Sequence, residues 1–183
     1  MSTDQPNPTA DKPQSKLWYM YDSWWALLPR TSGPSLWQRT RQGWIEHGEV
    51  AESLLGIPGR TDVWAEGKKA IAVGVADHSL TVFRLTFSGD SRKISCKTRI
   101  LAELYPPNEN DLIETATISE DGSGKLWVAA VASSKVCIWH SSDGADNWSP
   151  PLILAEGLDQ DDICVVTPLP DAIGLIWSDQ VRE

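Results

Sequence analysis

Three acidic residues, Asp159, Asp161 and Asp162, lie within four positions near the end of the chain. Clustered carboxylates supply the oxygen ligands that Ca²⁺ prefers. The spacing is not that of an EF-hand loop, however, and acidic loop residues are commonly solvated. The sequence therefore allows a calcium ion at these three residues but favours solvated loop acids, and it predicts no other cofactor and no metal centre.

Two aspartates, Asp62 and Asp162, directly precede apolar runs, in the stretches "TDVW" and "DDIC". A carboxylate in this position either accepts hydrogen bonds from backbone N–H groups and closes a loop, or faces a ligand. The three histidines are scattered and form neither a catalytic triad nor a metal-ligand spacing. The stretch "GIPGR" has two glycines but precedes a strand pattern instead of a helix, which argues against a phosphate loop.

A third acidic loop, "HSSDGADNWSPP" at residues 140–151, separates an apolar run from a tryptophan and two prolines. Its register is Ser141-x-Asp143-x-Ala145-x-x-Trp148. We expect Asp143 to accept hydrogen bonds from backbone N–H groups of the turn, and Trp148 to pack between neighbouring sheets. The loop is therefore predicted to be a structural element that stabilises its hairpin and not a functional site.

The elements that carry these residues are short strands. β-branched and aromatic runs alternate with Gly, Asp, Ser and Pro, and helical periodicity is almost absent after residue 15. Four hairpins are predicted, each with its turn in the middle: "KLWYMY-DS-WWALLP", "DVWAE-GKK-AIAVGVA", "ETATISE-DGSG-KLWVAAVA" and "ICVVTPL-PDA-IGLIWS".

The hairpins repeat along the chain. Trp25, Ala72, Val128 and Ile176 are assigned to like positions, at spacings of 47, 56 and 48 residues by subtraction. Third and fourth strands follow the first three hairpins, and quartets of strands in units of about 50 residues are typical of a β-propeller. The predicted fold is all-β, a propeller of about three and a half four-stranded blades, with a β-sandwich as the alternative. The blades span residues 16–55, 60–104, 113–157 and, incompletely, 161–183, after an arm at 1–15 that is disordered or bound by a partner.

The chain resembles the sialidase-like propellers in the spacing of its repeated strand quartets and in the loop at Ser141, Asp143 and Trp148. Those propellers carry an Asp box (BNR repeat) between the third and fourth strands of a blade. Ala145 stands where that motif has glycine, which matters if the position requires a positive φ. The resemblance covers residues 16 to 179. In active members it implies three arginines that hold the substrate carboxylate, a tyrosine nucleophile with a glutamate, and an acid/base residue. No such set is recognisable here. Sialidases also begin their first blade with an Arg-Ile-Pro signature, whereas Arg30 in "LLPRTSGP" follows its proline, so that signature is missing.

Propellers gather polar side chains at one mouth. By topology the mouth would receive seven residues, whereas the Asp box falls on the opposite face. The acidic residues among these seven either bind a ligand or cap the loops. The candidate mouth residues are Arg60, Asp62, Asp77, His78, Glu114, Asp161 and Asp162.

The composition narrows the partners. A net charge of −9 without a basic stripe argues against nucleic-acid binding. Three cysteines without paired spacing imply neither disulfide nor zinc. The ten tryptophans suit sheet positions, although some could stack on sugars. Without a signal peptide or a membrane-spanning run, the chain is predicted to be cytoplasmic.

Two functions follow as expectations. The first is a non-catalytic propeller that binds or assembles within a larger complex. The second is a carbohydrate-active, sialidase-like glycoside hydrolase fragment whose active site is completed by missing blades or a partner chain. Because the fourth unit stops after two strands, the sequence predicts an exposed apolar face and an unpaired edge that another chain or a second copy covers.

Overall fold

The computed structural model describes residues 14–90, 93–142, 145–159 and 161–182, and these are organised almost entirely as antiparallel strands. The all-β class is therefore confirmed. All four predicted hairpins are present as hydrogen-bonded pairs. They form because β-branched, aromatic and other apolar residues fill the strands and turn residues separate them.

Four sheets follow one another along the chain. Sheet 1 contains β1 (Leu17–Met20), β2 (Ser23–Leu28), β3 (Ser35–Thr40) and β4 (Gly43–Glu46). A 3₁₀ turn (Gly48–Val50) and the one-turn helix α1 (Ala51–Leu54) lead to sheet 2, which contains β5 (Arg60–Glu66), β6 (Lys69–Ala76), β7 (Ser79–Asp90) and β8 (Lys93–Leu104). Sheet 3 contains β9 (Ile113–Glu120), β10 (Leu126–Ala132), β11 (Lys135–Ser142), the short β12 (Asn147–Trp148) and β13 (Leu152–Glu156). Sheet 4 is the hairpin of β14 (Cys164–Leu169) and β15 (Ala172–Trp177).

Neighbouring sheets pack face to face and meet most closely at their first two strands. Strand β5 contacts β1, β9 contacts β5, and β14 contacts β9. The second strands join these contacts, with β2 against β5, β6 against β9 and β10 against β14. The four sheets therefore form a series in chain order, and within the described residues none of them closes on itself.

Three apolar clusters fill the spaces between the sheets. Trp25 and Leu27 of sheet 1 meet Phe83 of sheet 2. Ile71 of sheet 2 meets Val128 of sheet 3 in the second cluster. The third cluster lies between sheets 3 and 4 and contains Ala129, Val131, Val136, Cys164 and Val166. Because a strand directs successive side chains to opposite faces, sheets 2 and 3 are apolar on both faces.

The structure corrects the assignment of like positions in the second strands. Ala72 and Val128 both face the preceding sheet. Trp25 instead faces the following sheet, and Ile176 lies on the far side of sheet 4, where it is 69% exposed. The side-chain period of a strand is two residues, so a shift of one position moves a side chain to the other face.

Sheet 1 ends earlier than the sequence predicts. The first blade was predicted to span residues 16–55, but its last strand, β4, stops at Glu46 and the chain turns into α1. This helix packs closely over Gly33, whose φ is +138°, and a Cβ at that position would lie 2.2 Å from the carbonyl oxygen of Leu54. Only glycine fits such a backbone and such an approach.

The predicted N-terminal arm falls mostly outside the described residues, which begin at Gln14. Gln14 and Ser15 lie against other strands of the same chain. The side-chain Nε2 of Gln14 donates to the carbonyl of Ala116, and the Ser15 carbonyl accepts from the Val63 N–H at 2.9 Å. In the described part of the chain, no helix combines the length and the apolar character needed to cross a membrane.

Candidate functional site

Three of the predicted mouth residues line one cavity of about 280 Å³, together with Leu112 and Ile113. Arg60 is the first residue of β5, Asp77 lies in the turn between β6 and β7, and Glu114 is the second residue of β9. The guanidinium of Arg60 lies 3.8 Å from a carboxylate oxygen of Asp77. Both side chains are solvent-exposed, so this ion pair is a weak contact that a ligand can replace.

His78 adjoins the cavity but takes part in a second polar group beneath it. Its Nδ1 lies 3.2 Å from the carbonyl oxygen of Asp111. The carboxylate of Asp111 accepts from the ammonium of Lys135 at 2.8 Å. Burial opposes ionisation of Asp111, but the Lys135 hydrogen bond and charge outweigh it and lower the pKa of Asp111. This pair connects the loop before β9 to β11.

Asp62 does not reach the cavity and is buried among the first strands. One carboxylate oxygen accepts the backbone N–H of Ile118 at 2.8 Å, and the other accepts the N–H of Ser15. Burial raises the pKa of Asp62 to about 6, against the opposing effect of these donors and of the Lys16 charge. The carboxylate therefore joins sheet 2 to sheet 3 and to the segment that precedes β1.

Asp162 is likewise buried, at 2% exposure. Its carboxylate accepts hydrogen bonds from the Ser178 hydroxyl, the Gln180 N–H and the Asp159 N–H. These bonds close the loop around β14 and β15, whereas Asp161 is exposed. Within the described ranges, no group of three or more His, Cys, Asp or Glu side chains is arranged to hold a metal ion.

The predicted Asp box is described only in part, because Asp143 lies outside the described residues. The Ser141 hydroxyl accepts the Leu126 N–H at 2.9 Å, and Trp148 packs against the cluster between sheets 2 and 3. Trp148 donates its indole N–H to the carbonyl of Ala145. Ala145 has φ of 77°, so the position where the motif has glycine does adopt the left-handed conformation.

A second aspartate-centred hairpin, at Asp121, was not singled out from the sequence. Its carboxylate accepts from the Ser123 N–H and hydroxyl, the Lys125 N–H and the Trp127 indole N–H. Partial burial opposes ionisation, but these donors outweigh it and lower the pKa of Asp121 to about 2. The signal was present in "SEDGSGKLW", where an acid precedes a Gly-Ser-Gly turn and a tryptophan.

The Asp121 hairpin borders a larger cavity, of about 520 Å³, at the end of β9 remote from Glu114. Trp127 and Ile173 form its apolar side, and Ser123 and Asp171 belong to its rim. The Asp121 carboxylate is already occupied by its four donors. The lining therefore combines one aromatic ring, that of Trp127, with polar groups that include Ser123 and Asp171.

The remaining candidates for nucleophilic chemistry are dispersed. Burial raises the pKa of Cys96 and Cys164 to about 12 and that of Cys137 to about 11, so these thiols are protonated at neutral pH. Among the described residues, Arg60 is the one arginine that lines the smaller cavity. Arg30 lies with Glu46 in sheet 1, and Arg99 lies with Asp146.

Comparison with known proteins assigns no family. No protein-family model matches the chain, and no curated protein matches it significantly in sequence.

Proposed function

We propose that the chain is a non-catalytic propeller-type module that acts by binding and assembly. The observation that carries the proposal is that both ends of the sheet series present uncovered apolar side chains. Leu17, Tyr19 and Trp24 of sheet 1 are 49%, 58% and 50% exposed, and Leu169 and Ile176 of sheet 4 are 48% and 69% exposed. Contiguous exposed apolar surface is typical of interaction sites.

The series of sheets supports a propeller arrangement. In such a fold the first strand of each blade lies nearest the axis, and here the first strands of consecutive sheets are in contact. Among the described residues, the backbones of the outer strands β7, β8 and β11 approach the next sheet less closely than those of the first two strands, although apolar side chains of β7 and β8 pack against sheet 3.

The occupied carboxylates support a non-catalytic role. Asp62 and Asp162 lie at the starts of inner strands. Their carboxylate oxygens accept hydrogen bonds from backbone and side-chain donors of the same chain. A general acid or base must instead be within hydrogen-bond reach of a substrate atom.

Two measurements test the proposal. The purified chain is assayed for hydrolysis of fluorogenic glycosides, including a sialoside, and for binding of an apolar dye such as ANS to the end faces at high dilution. We expect no turnover, and dye binding that decreases in Trp24→Lys and Ile176→Lys. Turnover that is lost in Arg60→Ala would overturn the non-catalytic role, and absence of dye binding by a monomeric chain would overturn the assembly role.

A second candidate is recognition of a polar ligand such as a sugar at the smaller cavity, supported by Arg60, Asp77 and Glu114 around one space. It is the carbohydrate-related alternative, with cleavage requiring groups from another chain. Titration with a saccharide panel tests it, with Glu114→Gln as the variant and the exposed Glu109→Gln as its matched control. Binding that is lost only in Glu114→Gln supports the candidate, and no binding of any sugar removes it.

A further inference from the structure

The two uncovered ends of the sheet series are matched surfaces. We name the exposed side chains of Leu17, Tyr19 and Trp24 the first end face, and those of Leu169 and Ile176, with the half-buried Val165, the last end face. Both faces lie on the inner pair of strands of their sheet, β1–β2 and β14–β15. They are therefore the parts of sheets 1 and 4 that correspond to the closest sheet contacts inside the chain.

The chain itself shows how such faces are covered. At each of its three internal junctions, the far face of one sheet packs on the near face of the next through apolar side chains. The first end face is the exposed part of the near face of sheet 1, on which Ala26, Leu28 and Trp37 are already buried, and the last end face is the far face of sheet 4. A second copy of the chain supplies to each end the kind of surface that it lacks.

From this correspondence we propose that two copies of the chain associate head to tail, with the first end face of each against the last end face of the other. This inference rests on the proposed assembly function and specifies its partner. The contact is heterologous, because different surfaces meet, and two such contacts close a ring with two-fold symmetry.

Number and shape favour closure with two copies. Each chain contributes four sheets that meet most closely at their first two strands. Two copies give eight sheets, within the range of about 4–8 blades in which such arrangements close. A third copy would exceed that range.

The two end faces also differ in ways that suit each other. The first end face presents flat rings, with Tyr19 and Trp24 packed edge to face at 5.5 Å between centroids. The last end face presents branched aliphatic side chains, and the side chains of Thr167 and Leu169 fill the space beside Gly174. Exposed Arg39 lies in the sheet of the first face, and exposed Asp171 lies in the turn beside Leu169, so these two residues carry opposite charges, whereas exposed Asp22 in the β1–β2 turn is acidic like Asp171.

The experiment measures mass by sedimentation equilibrium over about 1–100 μM chain, a range that covers micromolar dissociation constants. We expect a dimer of twice the 20.2 kDa chain, about 40 kDa. Trp24→Lys and Ile176→Lys should each raise the Kd at least tenfold, because a charge enters an apolar contact. Ile100→Lys is the matched control, since Ile100 is 53% exposed on the outer strand β8 and should leave the Kd unchanged.

Mixing the two defective variants tests the head-to-tail arrangement directly. In the mixture, the intact first end face of Ile176→Lys can meet the intact last end face of Trp24→Lys. We therefore expect mixed dimers in greater amount than either variant forms alone. If Ile176→Lys dimerises normally, the first face pairs with itself and the head-to-tail proposal is wrong.

Dye binding separates failure of this inference from failure of the proposed function. A chain that stays at 20.2 kDa throughout, with end faces that bind ANS, overturns the second copy as partner and leaves the assembly role standing. A monomer whose end faces bind no dye overturns both.

Discussion

Asp62 is a polar residue placed where the sheets come closest. It accepts backbone N–H groups from Ser15 and Ile118, which belong to the segments on either side of sheet 2. Removing the carboxylate leaves the buried N–H of Ile118 and the partly buried N–H of Ser15 without an acceptor, which is costly for the buried donor. The residue that looked like a ligand group in the sequence is therefore a structural connection between strands.

The raised pKa of Asp62 predicts a dependence of stability on pH. The folded-state pKa is about 6 and the unfolded value is 3.8, so the folded state binds the proton more tightly. The contribution of Asp62 to stability is then greatest below pH 3.8 and is lost as the pH rises through 6, by about 3 kcal/mol for a shift of this size. Urea unfolding between pH 4 and 7 measures the slope.

Asp62→Asn removes this titration and should flatten that part of the profile. Asp171→Asn, in the exposed turn between β14 and β15, is the control and should keep the wild-type slope. If the slope persists in Asp62→Asn, another group is responsible.

Asp121 predicts the opposite behaviour at low pH. Its folded-state pKa of about 2 lies below the unfolded value of 3.8, so its contribution is present above 3.8 and is lost as the pH falls through 2. Asp121→Ala should destabilise the chain by about 1–3 kcal/mol at pH 7, because the turn N–H groups and the Trp127 indole lose their acceptor. Thermal unfolding at pH 7 checks this, and a variant as stable as the wild type would contradict it.

At the scale of elements, the hairpins were predictable and their faces were not. Turn residues such as Gly67 and Gly122 separate alternating runs, so the strand pairs follow from local chemistry. Which face a strand presents depends on one residue of register, and the sequence repeat does not fix it when both faces are apolar, as in β6. Trp25 and Ile176 therefore do not share a face with Ala72 and Val128, although all four were assigned to like positions.

The candidate site was also predictable only in part. The positions of Arg60, Asp77 and Glu114 at strand starts and turns identified residues that line one cavity. The burial of Asp62 and Asp162 was not accessible, since it depends on donors more than 15 positions away in the chain, such as Ile118 and Ser178. Only the assembled sheets bring those donors within reach.

Gly33 predicts a strong local effect at the junction of sheet 1 and α1. Gly33→Ala should destabilise the chain by about 2 kcal/mol or more, because the added methyl group would meet the Leu54 carbonyl and the backbone has a positive φ. Gly48→Ala is the matched control, since nothing lies within 4 Å of a Cβ there. Equal effects of the two substitutions in chemical denaturation would refute this account.

Sheet 4 predicts uneven local stability. It packs on one side only, against sheet 3, whereas sheet 2 packs on both sides. In a dilute sample, the amide protons of β14–β15 should exchange faster than those of β6–β7.

Val166→Ala should accelerate exchange mainly in sheet 4, whereas Val73→Ala, at a fully buried position of sheet 2, should lower global stability by about 2 kcal/mol.

At the scale of the whole molecule, charge opposes the association that the end faces favour. Each chain carries a net charge of −9, so two copies repel one another over distances that salt controls. The screening length falls from about 30 Å at 0.01 M to about 8 Å at 0.15 M ionic strength. The apolar contacts themselves are little affected over this range.

The dimer should therefore tighten as sodium chloride is raised from about 0.01 to 0.15 M. Sedimentation equilibrium at the two concentrations measures the change in Kd. Arg39→Ala tests one charged residue in the sheet of the first end face. If Arg39 of one copy attracts Asp171 of the other, the variant should dimerise more weakly at low salt and approach the wild type at high salt. Weaker association of the wild type at 0.15 M would mean that attractive ion pairs, and not the apolar end faces, hold the two copies together.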